Sequence, residues 1–228
     1  MRVVSWNMNK RKKGCWEWLL KNHSPNHVMA QETSPLPKGM IATVRTTTKK
    51  SNRTAFFSKQ KKHRHVKMEH DEGMRILVCE YENIYFINVY ANLDFKPVNP
   101  RLLGYICKFV SNLRHRHNAA NILIAGDFNM DRRMDENPTS SVFAKKGTFP
   151  HNDFFNTIQD MGFQDCVRKF IKDPIQTHYH SRSKFPWELD HMFATKELFD
   201  SLTNIVVPQT KNLSDHNPII ADFDFKQI

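Results

Sequence analysis

The stretch ILIAGDFNMD, Ile122 to Asp131, decides how the chain is read. Ile122–Ala125 is a short apolar run that predicts a buried strand, and Gly126-Asp127 ends it. Asp127 and Asn129 follow where strand gives way to loop. Upstream, Leu102, Ile106, Phe109, Val110 and Leu113 recur at helical spacing and predict a helix over Leu102–His117 that lays one face on a sheet. Before it, Arg75–Tyr81 and Ile84–Ala91 are β-rich runs split by Glu82-Asn83, the pattern of a hairpin. The N-terminal part predicts a strand at Val3–Trp6, and then a short helix at Trp16–Lys21 with Trp16, Leu19 and Leu20 on one face. A second strand, Val28–Gln31, is entered through Ser24-Pro25-Asn26. Residues 42–70 are polar and basic, with one legible strand at Ala55–Phe57. A further helix at Phe154–Met161, stopped by Gly162, and late strands at Leu189–Ala194 and Ile219–Phe225 complete the pass. Strands and helices mix without strict alternation, which implies an α/β fold with a mixed sheet rather than a simple doubly wound one.

Composition narrows the class of function. The 228 residues suffice for one well-cored domain, and nothing in the sequence demands two, so a single domain over 1–228 is expected. No apolar run is long enough to span a bilayer, and the N-terminus lacks the apolar core of a signal peptide. Cys15, Cys79, Cys107 and Cys166 are scattered without a CxxC pair, as reduced thiols of a cytoplasmic protein would be. The formal net charge of +11 favours a polyanionic partner, nucleic acid first and an anionic membrane surface as the competitor. It is concentrated in Lys10–Lys13, Lys49-Lys50, Lys59–His65 and Arg114–His117. A monomer is expected, and no protein partner is indicated.

Polar residues gather where strands end. Asn7 follows the first strand, Glu32 the second, Tyr90 closes the hairpin, and Asp127 with Asn129 follows Ile122–Ala125. Asp190 sits in Trp187-Glu188-Leu189-Asp190. In SDHNPI, Ser214–Ile219, Asp215 and His216 stand in a loop that Pro218 separates from the closing strand. Each residue alone reads equally well as a turn, a helix start or a surface histidine. Six such coincidences at strand ends instead point to one site on the rim of a sheet.

In order along the chain, SWNMN (Ser5–Asn9), AQET (Ala30–Thr33), INVYAN (Ile87–Asn92), AGDFNMD (Ala125–Asp131), ELDHMF (Glu188–Phe193) and SDHNPI resemble the motifs of the endonuclease/exonuclease/phosphatase superfamily. Tyr90 replaces the histidine usual in the phosphatase, sphingomyelinase and deoxyribonuclease I branches. It looks like the exonuclease III and AP endonuclease branch and like retroelement endonucleases, as does the segment Gly147–Phe170.

The resemblance implies a four-layer α/β sandwich of two facing mixed β-sheets flanked by helices. It also implies phosphodiester hydrolysis with Mg²⁺, or Mn²⁺ in its place. On this likeness Glu32 is the main metal ligand, with Asn7 and Asp215 close to the ion. His216 is oriented by Asp190, Asp127 handles the attacking water or the proton transfers, and Asn129 with Tyr90 holds the scissile phosphate. The chemistry of the residue types agrees, because a hard divalent cation takes carboxylate and amide oxygens and a carboxylate behind an imidazole fixes its tautomer.

The chain departs from the pattern at two positions. Asn9 stands where many AP endonucleases carry an acidic residue, which weakens a second metal position. Glu188 brings an unusual negative charge in place of the common arginine or lysine. DNA is the expected substrate, cleaved in an endonuclease or exonuclease III-like manner. The alternatives are a ribonuclease or 3′-end-processing enzyme of the same fold, a phosphatase of phosphoinositides or other small phosphoesters, and an inactive binding module.

Overall fold

The structure is a computed structural model that describes residues 1–10, 14–33, 42–46, 54–59, 64–66, 75–91, 98–136, 151–181 and 184–225. The chain opens with β1 (Arg2–Asn7), α1 (Gly14–His23), β2 (His27–Gln31), β3 (Ala42–Thr46) and β4 (Thr54–Ser58). Next come β5 (Arg64–His65), β6 (Arg75–Tyr81), β7 (Ile84–Tyr90), α2 (Val98–His117) and β8 (Asn121–Asp127). A 3₁₀ turn at Arg132–Met134 precedes α3 (His151–Asp160), β9 (Phe163–Asp165) and α4 (Cys166–Phe170). β10 (Asp190–Thr195), α5 (Lys196–Asp200), β11 (Leu202–Val206) and β12 (Ile219–Phe223) end it. Among the described residues no helix is long and apolar enough to cross a membrane.

Two β-α-β units organise the chain. β1 leads through α1 to β2, and the two strands pair in parallel from Val3 opposite His27 to Asn7 opposite Gln31. β7 leads through α2 to β8, again in parallel, from Ile84 opposite Asn121 to Tyr90 opposite Asp127. Each parallel pair lies at the centre of a six-stranded sheet whose other neighbours are antiparallel. The orders are β11-β12-β1-β2-β4-β3 and β5-β6-β7-β8-β10-β9. The chain closes on itself, because β12 pairs with β1 through Arg2 opposite Asp222 and Ser5 opposite Ile219.

Strand alternation sorts side chains into three apolar layers. Val3, Met29, Phe56, Phe86, Leu123, Met192 and Ile219 come from both sheets and form one cluster between them. Val4, Trp6, Val28 and Ile220 face the other way and take up Trp16 and Leu19 of α1. Ile87, Val89, Ile122 and Ile124 meet Leu102, Ile106, Phe109 and Leu113 of α2 and Phe154, Phe155 and Ile158 of α3. The result is helix, sheet, sheet, helix: the four-layer α/β sandwich of two facing mixed sheets. Each fully buried Phe or Leu in these layers contributes about 1.5–3 kcal/mol.

Several local expectations change. Leu20 is only partly buried, and Trp18 packs against Trp6 in its stead, with ring centres 5.6 Å apart. The expected strands ending at Ala91 and Phe225 stop at Tyr90 and Phe223. β3, β5, β9, β11, α4 and α5 carry no signal that sequence patterning resolved.

Candidate active site

Register places the polar strand-end residues on one rim. The parallel strands β1, β2, β7 and β8 run to that rim and end there at Asn7, Gln31, Tyr90 and Asp127, while the antiparallel β10 and β12 start there at Asp190 and Ile219. Glu32 leaves β2 in the left-handed region, φ 44°, a conformation a glutamate adopts only when its surroundings hold it. Gly126 has φ 150°, and a Cβ there would lie 1.9 Å from the carbonyl oxygen of Val89. Only glycine lets β8 approach β7 this closely one residue before Asp127.

Hydrogen bonds then fix the side chains. His216 Nδ1 and Asp190 Oδ2 are 2.8 Å apart, both residues buried. Asn7 Nδ2 donates to Asp127 Oδ2 at 2.8 Å, and the Asn129 N–H donates to Asp127 Oδ1 at 3.0 Å. Asn129 Nδ2 also donates to the Ala91 carbonyl at 2.6 Å. Asp127, Asp190 and His216 offer polar atoms all within 4.8 Å of one another. Across the gap, Tyr90 Oη donates to Glu32 Oε1 at 2.8 Å, and Lys10 Nζ lies 3.5 Å from Glu32 Oε2. The loop before β12 is tied to β1, since Ser214 Oγ donates to the Asn7 carbonyl at 2.8 Å and accepts the His216 N–H at 3.1 Å.

Electrostatics follow from this crowding. Burial raises the Asp127 carboxyl to about 7, helped by the nearby Asp190 and opposed by His216 and Asn7. Burial alone would lower His216, but Asp190 and Asp127 outweigh it and hold the imidazole up at about 10. His178, whose ring lies 4.4 Å from that of His216, is pushed down to about 3 by burial and by His216.

The donor set suits a hard cation. Asp215 Oδ1 and Asp190 Oδ1 are buried, and among the described residues nothing donates to either. Unpaired carboxylate oxygens of this kind are what a divalent ion would satisfy. Glu32, the Asn7 amide oxygen and Asp215 supply only oxygen atoms, which fits Mg²⁺ or Mn²⁺ chemistry.

The neighbourhood also holds partners that the motifs do not contain. Glu188 is not a free negative charge, because both its carboxylate oxygens accept from Arg168 Nη2 and one also accepts the Ile175 N–H at 3.2 Å. Arg168 comes from α4, a separate element. Thr177 and His178 support the site without any motif of their own, as does Ser214 from the first position of SDHNPI.

The basic clusters divide differently from the acidic residues. Lys59 follows β4 at the end where Ser58 pairs with His27, opposite the site rim. Arg64 is ion-paired with Glu80, and His117 lies beside Tyr85 with ring centres 5.8 Å apart, also at the opposite end. Lys59, Arg64 and His117 are thus kept away from the site, while Arg11–Lys13, Lys49-Lys50, Lys61 and Lys62 lie outside the described residues. The described residues contain as many Asp and Glu as Lys and Arg, so the +11 of the chain is carried by the others.

No family model matches the chain. A DNA-(apurinic or apyrimidinic site) endonuclease of Dictyostelium discoideum is 24% identical over 251 residues, an alignment covering 96% of this chain and 69% of that protein. The 3′ phosphatase NExo of Neisseria, solved with a product DNA hairpin, superposes with a TM-score of 0.78 at 18% identity over 99% of this chain and 100% of that one. An AP endonuclease from Archaeoglobus fulgidus gives 0.77 at 19% identity, with the same coverage of both chains. The chain resembles exonuclease III and AP endonuclease-type enzymes, both in the order of its motifs and in its fold.

Proposed function

We propose, from this likeness as premise, that the chain is a single-domain, divalent-metal-dependent phosphodiesterase that hydrolyses the DNA backbone. The observation that carries the reading is the buried Asp190–His216 pair, 2.8 Å apart, with Asp127 in the same cluster. Glu32, Asn7 and Asp215 would hold Mg²⁺ or Mn²⁺. When bound, the ion supplies Lewis-acid charge that neutralises the phosphate and the charge developing on it.

The remaining chemistry belongs to side chains. Asp190 accepts from His216 Nδ1, so the other ring nitrogen carries its hydrogen toward the phosphate and the imidazolium offers positive charge there. Asp127, raised to about 7, takes the proton of the attacking water as its oxygen bonds to phosphorus and the opposite phosphorus–oxygen bond breaks, the leaving oxygen keeping the bonding pair and taking a proton from solvent. Asn7 and Asn129 orient Asp127 for that transfer. Tyr90 and Asn129 hold phosphate oxygens.

The deciding assay incubates purified protein with supercoiled plasmid, single-stranded DNA, abasic duplex, a 3′-phosphate duplex, RNA and an inositol phosphate, each with and without Mg²⁺. Metal-dependent cleavage of a DNA substrate is expected. Phosphate release from the inositol compound with no action on any DNA would overturn the reading.

A further inference from the structure

Thr177 is wholly buried in the segment that leads from α4 to β10. Its hydroxyl oxygen accepts two main-chain hydrogens, from Leu189 at 2.8 Å and from Asp190 at 3.0 Å. Its own N–H donates to the Trp187 carbonyl at 2.9 Å, and its carbonyl receives the Asn217 N–H at 2.7 Å. The next residue, His178, bridges through its backbone to both Trp187 and His216. Asp190 and His216 belong to segments far apart in sequence, yet each is next to a residue bonded to Thr177.

We infer that Thr177 is a positioning residue for the Asp190–His216 pair, its hydroxyl holding the start of β10 and its carbonyl holding the loop that carries the imidazole. The inference rests on the proposed function for its catalytic meaning. The physical basis is local. Two converging N–H groups occupy both lone pairs of one buried oxygen, and a methyl group in its place would leave both donors unpaired. Asp190 would then be free to shift by fractions of an ångström, which is enough to spoil its alignment with His216.

The test compares Thr177→Val, which keeps the shape and loses the acceptor, with Thr177→Ser, which keeps the acceptor, and Thr177→Cys, a weak one. On the DNA substrate that the wild type cleaves best, Thr177→Val should lower kcat about ten- to hundredfold with KM changed by less than about twofold. Thr177→Ser should return kcat to within about threefold of wild type, and Thr177→Cys should fall between. A folded Thr177→Val with wild-type kcat overturns the inference, as does a serine variant no better than valine. If the valine variant does not fold, equal kcat for serine and cysteine overturns it. The downfield Nδ1 proton resonance of His216 reads the same hold without turnover. It should persist in wild type and Thr177→Ser and be lost or shifted in Thr177→Cys. A wild type that shows this resonance and cleaves nothing sinks the proposed function alone, whereas an unchanged resonance in Thr177→Cys sinks the positioning role.

Discussion

Tyr90 donates its hydroxyl hydrogen to Glu32 over 2.8 Å, and that bond runs from one sheet to the other. Glu32 thereby stands between a phenol on one oxygen and the Lys10 ammonium near the other. Its position is therefore a property of how the two sheets dock and of the left-handed turn that ends β2.

Removing this carboxylate should separate metal use from folding. Glu32→Ala is expected to stay folded while Mg²⁺-dependent cleavage falls by about a hundredfold or more. Tyr90→Phe, which removes the bond that orients Glu32 together with the proposed hold on the phosphate, should raise the Mg²⁺ needed for half-maximal rate about tenfold. Cleavage across a Mg²⁺ titration, with circular dichroism as the control, checks both. Full activity of Glu32→Ala at limiting Mg²⁺ would remove this residue from the site.

The buried pair should behave as one unit. His216→Ala and Asp190→Asn should each cut kcat by about a thousandfold, and the double variant should lose little more than either alone. Losses that multiply would mean that Asp190 does not act through His216.

Stability should report the same pairing through pH. The folded chain holds the His216 proton to about 10, against an ordinary 6.5. Between those values the native state keeps a proton that the unfolded chain has released, so the contribution is complete below about 6.5 and is lost as pH rises toward 10. Urea unfolding of metal-free protein from pH 7 to 10 should show a shallower decline for Asp190→Asn than for wild type. Parallel declines would contradict the raised imidazole.

Substrate grip should depend steeply on salt, through residues other than the rim-distant Arg64. Binding that holds about five phosphates gives a log–log slope near −4 to −5. Arg64→Ala should leave the slope unchanged, because Arg64 is paired with Glu80 at the far end of its sheet. Changing Arg11, Lys12 and Lys13 to alanine, next in sequence to Lys10, should flatten it by about one unit for each phosphate no longer held. The reverse pattern in a fluorescence-anisotropy salt series would place the DNA on the opposite end.

Breaking the Arg168–Glu188 pair should cost more than removing it. Arg168→Ala leaves a buried carboxylate alone and should destabilise by about 3 kcal/mol, while Arg168→Met with Glu188→Leu should cost clearly less. Denaturant unfolding of the two variants decides.

Much of this was legible in the chain. Gly126 and Asp127 mark the end of β8 as firmly in sequence as in space, and the ordered polar residues do meet on one rim. The edge strands were not legible: β11 alternates weakly because only Leu202 and Ile205 are buried, and β9 is three residues long. α5 begins at Lys196, and Thr195 before it makes no side-chain capping bond, so only its packing reveals it. Glu188 looked anomalous because its neutralising partner, Arg168, comes from another element. Thr177 was invisible because a hydroxyl accepting two amide hydrogens has no compositional signature. The places of Lys59, Arg64 and His117 could not be read from the basic runs, because a run of charge says nothing about which end of a sheet it occupies.

The pairing of β12 with β1 has a consequence for how the molecule is made. As the chain leaves the ribosome, the outer edge of β1 must wait without a partner until Ile219–Phe223 has been synthesised. Such an unpaired edge invites non-native strand addition in the meantime. The residue that arrives just ahead of that closing strand is His216, so the step that seals the sheet also delivers the imidazole to Asp190. A nascent chain halted before β12 would be both sticky and inert, and completing β12 would bring solubility and turnover together.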